Sequence, residues 1–309
     1  MYRAIAILAF ASVAALSAEA RAHPGPHHDI ERLTKLLAKE PGRVDLLMDR
    51  ARAYRYDGQA ARALDDLDRA ERVGGDVSMI ALERGLALAE LGRDSEAETE
   101  LTKHLRGPNP KASAYARRAA LRERGGRPNE ATRDYTAALA LAADVEWYLR
   151  RGRLQETQGL LNDTAAGLRE GLARCTGAVA IRLELLRLET TQGHFESATQ
   201  LIDEAIAQAD VKTEWYLRRA DVQAAAGNSV QAACDRKAAL AEADRAVARR
   251  PTALRLLTRA RVFVALGQPE KAATDLRAAL RKAPGLVEAA ELLTTIQGPT
   301  HTSVPNARN

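Results

Sequence analysis

The segment Ala253–Leu286 has the sequence ALRLLTRARVFVALGQPEKAATDLRAALRKAPGL. Apolar residues recur at helical spacing from Leu254 to Leu266, and again from Ala272 to Leu280. Gly267 interrupts the pattern between the two runs, and Pro284 ends it. The stretch therefore predicts two short amphipathic helices joined by a turn.

The same unit recurs along the chain at almost constant spacing. Its turn glycine returns at steps of 34, 34, 33, 34, 34 and 40 residues. A small residue follows five positions later, and it allows two helices to approach closely where they cross. The turn glycines are Gly58, Gly92, Gly126, Gly159, Gly193, Gly227 and Gly267, and the small residues are Ala63, Ala97, Ala131, Thr164, Ala198, Ala232 and Ala272.

This pattern resembles the tetratricopeptide repeat family, whose unit is a 34-residue helix–turn–helix. A second small residue stands seven positions before six of the glycines, while repeat five has Leu186 there. The large first-helix aromatic of the family is present as Tyr115, Tyr148 and Tyr216, and its terminal proline as Pro251 and Pro284. The resemblance covers about residues 44–286. It implies an all-α fold, a right-handed α-solenoid of about seven tetratricopeptide-like repeats.

The segments around the repeats have their own patterns. Residues 23–43 combine a His-containing lead with a capping helix, for which Asp29 is the expected N-cap. Repeat six carries about six extra residues, and a second helix longer by one to two turns would contain them, ending before Pro251. Residues 287–297 predict a C-terminal capping helix, and residues 298–309 a flexible tail.

Residues 1–22 have the pattern of a secretory signal peptide. Arg3 provides the positive start, and Ala4–Leu16 is an apolar run that contains only one serine. Small residues at Ala18 and Ala20, or Ala20 and Ala22, suit cleavage. The run is shorter than the roughly 20 residues that span a bilayer. We therefore expect a periplasmic or secreted chain without stable membrane insertion.

The composition favours a solvated helical surface. The 309 residues carry a formal net charge of +5, with both signs interspersed, and only 4% are aromatic. This distribution does not resemble a nucleic-acid interface. Cys175 and Cys234 lie on either side of repeat five, which predicts a separation too large for a disulfide.

An arginine stands eight residues before six of the turn glycines, and an acid follows five of these arginines by sixteen residues. Where repeat five has Leu185 in place of the arginine, the later position is Leu201. This exchange predicts an ion pair inside each hairpin. The pairs are Arg50–Asp66, Arg84–Glu100, Arg118–Asp134, Arg219–Asp235 and Arg259–Asp275.

Arg151 of repeat four is the exception, because Gly167 stands where its acid is expected. A neighbouring acid such as Glu156 is the simpler partner. The alternative is that the guanidinium holds a carboxylate of a ligand.

The resemblance also implies a ligand groove lined by the first helices of the repeats. The positions ten residues before the glycines include Leu149, Leu183 and Leu217, and those six residues before include Arg52, Arg153, Arg187 and Arg261. Such a groove suits a peptide with acidic and apolar residues. Trp147 and Trp215 occupy equal positions in two repeats with the sequence EWYLRR. They are either binding residues or fillers between hairpins.

The sequence predicts a non-catalytic, exported scaffold that binds protein or peptide partners and needs no cofactor. No nucleophile–base pair, phosphate loop or metal-hydrolase spacing occurs in it. The alternative is a periplasmic metal-binding or metal-delivery protein that uses His23, His27 and His28. A third possibility is a repeat arm that serves an enzyme complex.

Overall fold

The computed structural model describes residues 25–297, and within this range it holds sixteen α-helices and no strand. The predicted signal peptide, His23 and the tail from residue 298 lie outside the described residues. The described chain forms two compact units, the first ending at Ala142 and the second beginning at Ala143.

The first unit contains one leading helix and three antiparallel helix pairs. Its helices are α1 (Pro26–Lys39), α2 (Val44–Tyr56), α3 (Ala60–Arg72), α4 (Val77–Glu90), α5 (Asp94–Leu105), α6 (Ala112–Arg124) and α7 (Pro128–Leu141).

The second unit contains four helix pairs and one final helix. Its helices are α8 (Val145–Thr157), α9 (Leu161–Arg174), α10 (Val179–Thr191), α11 (Phe195–Gln208), α12 (Thr213–Ala225), α13 (Ser229–Arg249), α14 (Ala253–Ala265), α15 (Pro269–Lys282) and α16 (Val287–Gln297).

The predicted turn glycines join the two helices of every pair. All seven have φ between 68° and 82°, the left-handed region that only glycine adopts without strain. At Gly126, its own N–H donates to the carbonyl of Glu123 at 3.1 Å, and the N–H of Arg127 donates to the carbonyl of Arg122 at 2.9 Å. These two bonds satisfy the last carbonyls of α6 in a Schellman motif. The predicted turns are confirmed.

The two helices of a pair cross where the small residues stand. The residue five positions after each glycine is at most 2% exposed in every repeat. At the crossing of α4 and α5, a Cβ on Gly85 would lie 2.8 Å from Cγ of Leu101, so no larger residue fits there. The ninth residue after the glycine supplies the large core side chain. Its members are Leu67, Leu101, Tyr135, Leu168, Ile202 and Leu276, all at most 1% exposed, and in repeat six Arg236.

The start of α1 differs from the sequence prediction. Asp29 is not its N-cap, because the helix already begins at Pro26, with Gly25 as the cap. Proline suits the first helical position, since it has no N–H to leave unpaired and its φ is already helical. Asp29 instead lies in the first turn, where a negative charge favours the helix dipole.

Repeat seven is displaced along the long second helix of repeat six. Three arginines bond a residue ten positions after the preceding turn glycine: Arg84 bonds Asp68, Arg118 bonds Thr102 and Arg219 bonds Asp203. Arg259 instead bonds Asp244, seventeen positions after Gly227, at 3.0 Å. The seven-residue difference is two helical turns, about 10 Å along the axis. The 21-residue helix α13 therefore shifts its neighbour as well as taking up the insertion.

Candidate functional site

The repeated arginines are mostly structural. Four of the five predicted ion pairs form two parallel hydrogen bonds between guanidinium and carboxylate. In repeat one, Nε and Nη2 of Arg50 lie 2.7 Å from the two carboxylate oxygens of Asp66, which is 2% exposed. The hydrogen bonds that Arg50, Arg219 and Arg259 donate to their aspartates raise the pKa of all three guanidinium groups. The hairpin pairing is confirmed in repeats one, three, six and seven.

In repeat two the predicted ion pair is present, but it is longer and has no hydrogen bond. Arg84 lies 3.8 Å from Glu100, too far for a hydrogen bond. Its guanidinium donates instead to Asp68 at 2.9 Å and Glu71 at 2.7 Å, both on α3 of the preceding repeat. Repeat two therefore uses its arginine to hold the neighbouring hairpin.

The predicted partner for Arg151 is wrong. Its guanidinium lies 3.4 Å from Glu170 on α9, while Glu156 pairs with Arg187 instead. The guanidinium also fills the space beside Gly167, where a Cβ would lie 2.7 Å from Nη2 of Arg151. Arg151 is 7% exposed, so its charge belongs to the α8–α9 hairpin and does not face a ligand.

A second partner of the arginine column was missed from the sequence. Arg50, Arg84, Arg118 and Arg219 each also bond the residue sixteen positions earlier, on the preceding second helix. The guanidinium groups of Arg84, Arg118 and Arg219 thus reach two hairpins, and that of Arg50 joins its hairpin to the leading helix α1. Each of them fixes how a repeat stacks on the element before it. The signal was present, because Asp68 and Asp203 stand at that spacing.

The first helices of the second unit present a face with an apolar part. In this unit α8 packs against α10, and α12 packs against α14. Leu149, Leu183 and Leu217 are all half-buried at equivalent positions of α8, α10 and α12. Leu217 also packs against a cluster formed by Ala239, Ala243 and Val262. We call Leu149, Leu183, Leu217, Arg153 and Arg187 the first-helix face.

Most of the predicted groove arginines are engaged within the protein. In the first unit, Arg52 donates to Glu83 on the next first helix at 2.7 Å. In the second unit, Arg261 pairs with Glu288 of α16. Arg187 donates to Glu156 at 2.5 Å and to Glu184 at 2.8 Å. The hydrogen bond with Glu184, and then that with Glu156, raises the pKa of Arg187. These three arginines hold neighbouring helices together.

Arg153 is different. It is exposed near the end of α8, and its side chain has no hydrogen bond, ion pair or ring contact with any residue between 25 and 297. Its neighbour Arg187 is balanced by two glutamates. Among the four predicted groove arginines, Arg153 alone has its charge available to a ligand within the described structure.

The two tryptophans are half-buried. Trp215 packs against a cluster formed by Leu186, Ala198, Ile202 and Val222. This contact favours the packing interpretation for Trp215, whose ring fills the space between its own hairpin and the preceding one. The backbone N–H of Trp147 donates to the Asp144 carboxylate at 3.0 Å, which caps α8.

The N-terminal histidines do not form a metal site among the described residues. His27 and His28 lie in the first turn of α1 and are exposed. His27 lies 3.8 Å from Glu31 and 3.9 Å from Asp57. Across residues 25–297, no group of three or more His, Cys, Asp or Glu side chains is arranged to hold a metal ion. Cys175 and Cys234 are free thiols.

The comparisons with known proteins place the fold. The chain is similar to the C-terminal part of a TPR repeat-containing protein from Cytophaga hutchinsonii, with 15% identity over 87% of this chain and 95% of that one, at a TM-score of 0.52. It also matches a tetratricopeptide repeat protein from Parabacteroides merdae, with 21% identity over 82% of this chain and 99% of that one, at a TM-score of 0.45. YrrB, a TPR protein with an unusual peptide-binding site, matches with 13% identity over 85% of this chain and 97% of that one, at a TM-score of 0.43.

No protein-family model matches the sequence, and no curated protein matches it either. The likeness to the Cytophaga hutchinsonii structure and the helix pairs described above show that this chain has the tetratricopeptide repeat fold. Within the described residues, no helix has the length and apolar character needed to cross a membrane.

Proposed function

We propose that this chain is a non-catalytic scaffold that binds an extended segment of a partner protein on the first-helix face of the second unit. The observation that supports this proposal is that the guanidinium of Arg153 is exposed and has no hydrogen-bond or ion-pair partner in the described structure. It stands one helical turn after Leu149, which is half-buried and leaves part of its apolar surface available.

The chemistry of this face selects the ligand. A carboxylate of the partner would pair with Arg153, and charge-assisted bonds of this kind are the stronger ones in proteins. Apolar side chains of the same segment would cover Leu149 and Leu183. Arg187 contributes less, because Glu156 and Glu184 already neutralise it. We therefore propose a short segment that combines one acidic residue with neighbouring apolar residues.

The experiment uses an array of 12-residue peptides in which one Asp or Glu stands among leucines and valines, with matched peptides that carry Lys instead. Affinities of the best binders are then measured by fluorescence polarisation with the chain that begins at His23. We expect acidic peptides to bind, and Arg153→Ala to weaken them at least tenfold, since a hydrogen bond to a charged group contributes about 1.5–3 kcal/mol.

Arg133→Ala is the matched control. Arg133 is also exposed, and it has no side-chain partner among the described residues, but it lies on the second helix α7. This variant should bind the acidic peptides as the wild type does. Equal binding by the Arg153→Ala variant, or an array without any acidic binder, contradicts the proposed site. Turnover of a substrate by the purified chain contradicts the non-catalytic role.

We also propose that the scaffold is exported and works in the periplasm or outside the cell. The support is the sequence of residues 1–22, with Arg3, the apolar run Ala4–Leu16 and small residues before the cleavage position. N-terminal sequencing of the chain purified from its cell envelope fraction tests this. A chain that starts at Arg21 or His23 is expected, and a cytoplasmic chain that retains residues 1–22 contradicts export.

A further inference from the structure

The last helices of the second unit carry an excess of positive charge. Residues 229–297 contain twelve Lys and Arg against seven Asp and Glu, so their excess of five equals the net charge of +5 of the whole chain. Five of the seven acids are already paired with arginines: Asp235, Glu242, Asp244, Asp275 and Glu288. Few acids therefore remain to balance the other cations of this segment.

Four of these cations stand at the ends of two second helices. Arg249 and Arg250 end α13, and Arg281 and Lys282 end α15. All four are exposed, and their side chains have no hydrogen bond, ion pair or ring contact within residues 25–297. We call these four residues the basic edge.

The topology brings the two helix ends to the same side of the unit. Helices α13, α14 and α15 run antiparallel in sequence, so α14 begins where α13 and α15 end. Arg255 in the first turn of α14 donates to the carbonyls of Ala246 and Arg250 at 3.1 and 3.2 Å, which fixes it against the end of α13. Ala253 and Leu280 belong to one apolar cluster with Leu256. The ends of α13 and α15, and with them the basic edge, therefore lie on the side of the second unit where α14 begins.

Two exposed aliphatic side chains stand among these charges. Leu254 at the start of α14 is 60% exposed, and Val287 at the start of α16 is 66% exposed. A cation at a helix C-terminus favours the helix dipole, and this accounts for one basic residue on each helix. It does not account for the second basic residue on each helix, nor for the exposed aliphatic residues at the starts of α14 and α16.

We propose that the basic edge docks the protein on the surface of a membrane that contains anionic lipids. The cations would contact headgroup phosphates, an attraction in which each Lys or Arg near the surface contributes measurably. Leu254 and Val287 would enter the boundary between headgroups and acyl chains. A lipid surface is favoured over an acidic protein because these two side chains protrude, and a soft headgroup layer accepts them without a matching recess.

This surface is separate from the first-helix face, and its proposal does not depend on peptide binding. The two act together in a simple way: a scaffold held at a membrane by one edge keeps its peptide-binding face free. Contact through this edge needs no membrane-spanning helix.

The test is co-sedimentation with vesicles of phosphatidylglycerol and phosphatidylcholine, and with vesicles of phosphatidylcholine alone. The chain begins at His23, so that the apolar run Ala4–Leu16 does not itself bind lipid. We expect binding to the anionic vesicles that weakens as salt rises, and little binding to the neutral ones. The variant Arg249→Gln/Arg250→Gln/Arg281→Gln/Lys282→Gln should bind anionic vesicles at least tenfold more weakly.

The matched control removes four equivalent charges elsewhere, as Lys35→Gln/Lys111→Gln/Arg133→Gln/Lys237→Gln. These side chains are also exposed and without partners among the described residues, and this variant should keep most of the binding. The variant Leu254→Ser/Val287→Ser should bind anionic vesicles several-fold more weakly than the wild type. Because it keeps all the charges, this loss measures insertion of the two side chains separately from charge attraction. Equal loss in both charge variants, unchanged binding by the edge variant, or no binding by the wild type overturns the proposal. An acidic protein captured at this edge without vesicle binding overturns it as well.

Discussion

Arg50 and Asp66 join α2 to α3 through two parallel hydrogen bonds of 2.7 Å, with both side chains almost excluded from solvent. Repeat five does without this pair, because Leu185 and Leu201 are both buried at the corresponding positions. One fold thus accepts an ion pair or an apolar pair at the same place. Replacing only one member of such a pair should therefore destabilise the fold.

The first prediction is that Asp66→Leu costs about 3 kcal/mol, because it leaves a buried guanidinium without its carboxylate. The double variant Arg50→Leu/Asp66→Leu should recover most of this loss, since it reproduces the apolar pair of repeat five. Urea unfolding of the wild type, both single variants and the double variant measures the coupling. If the double variant were as unstable as the sum of the singles, the exchange between the two kinds of pair would be refuted.

The turn glycines support a prediction with a control in the neighbouring residue. Gly126 has φ of 69°, whereas Gly125 has φ of −78°, which any residue adopts. No atom lies within 4 Å of a Cβ added at Gly126, so Gly126→Ala tests backbone strain alone. We expect it to lose about 1 kcal/mol in thermal or urea unfolding. Gly125→Ala should change the free energy of unfolding by only a few tenths of a kcal/mol. Equal effects at the two positions would contradict the turn geometry.

Repeat four offers a stabilising substitution. Gly167 lies inside α9 at the position where four other repeats carry the aspartate that binds their arginine with two hydrogen bonds. Gly167→Asp should raise stability by about 1 kcal/mol or more, because Arg151 can turn to a new carboxylate and because glycine is unfavourable within a helix. Gly167→Ala separates these causes, since its Cβ gives the same helix propensity gain and the same displacement of the Arg151 guanidinium, 2.7 Å away, but offers no carboxylate. A Gly167→Asp variant no more stable than Gly167→Ala would show that Arg151 cannot adopt the paired arrangement.

Acid should weaken the first unit through Glu98. The hydrogen bond from Arg127, joined by one from Arg122, lowers the pKa of Glu98 below its ordinary value near 4.5. The unfolded chain therefore takes up the proton at higher pH than the folded chain. The stabilisation by Glu98 is complete above about pH 4.5 and is lost as pH falls through the lowered pKa. We expect the free energy of unfolding of the wild type to exceed that of Glu98→Gln by roughly 1 kcal/mol at pH 6, as for a favourable partly exposed pair, and by progressively less as pH falls below 4.5. Unfolding midpoints from pH 3 to 7 measure this, and a constant difference would contradict it.

The parts of this fold that could be predicted from the sequence are those within one hairpin. The spacing between Gly58 and Ala63, and that between Arg50 and Asp66, recurs in other repeats. It does so because every repeat has the same helix–turn–helix geometry. The repeat-five exchange to Leu185 and Leu201 made the contact visible without any structure.

The contacts between hairpins were harder to predict. Arg187 meets Glu156 only because α10 lies beside α8, and the sequence alone offered Glu156 equally well to Arg151. The displacement of repeat seven was missed for a similar reason. Six extra residues predict a longer helix, but the new partner Asp244 is apparent only once α14 is placed along α13. The sequence prediction was least accurate at the candidate site, because three of its four arginines bond residues of the protein itself and hold neighbouring helices together.

The repeat whose neighbour is displaced also has the one charged residue among the large core side chains nine positions after the turn glycines. Arg236 occupies the position that carries a buried leucine, isoleucine or tyrosine in the other six repeats. Arg236 is half-buried on α13, the helix along which α14 is displaced by about two turns. Its Nε is nevertheless buried and has no hydrogen-bond partner in the described structure.

The last prediction follows from this unsatisfied donor. Arg236→Leu should raise the stability of the second unit by about 1 kcal/mol, because it removes a buried Nε donor without a hydrogen-bond partner, and this gain should exceed the lost attraction between its guanidinium and the Asp221 carboxylate. It also restores the apolar residue that the column uses elsewhere. Lys237→Leu is the control, since Lys237 is exposed beside it and should leave the unfolding midpoint unchanged. If Arg236→Leu instead destabilised the chain while Lys237→Leu did not, the prediction would be wrong. The guanidinium of Arg236 would then make a stabilising contact that an apolar side chain cannot replace.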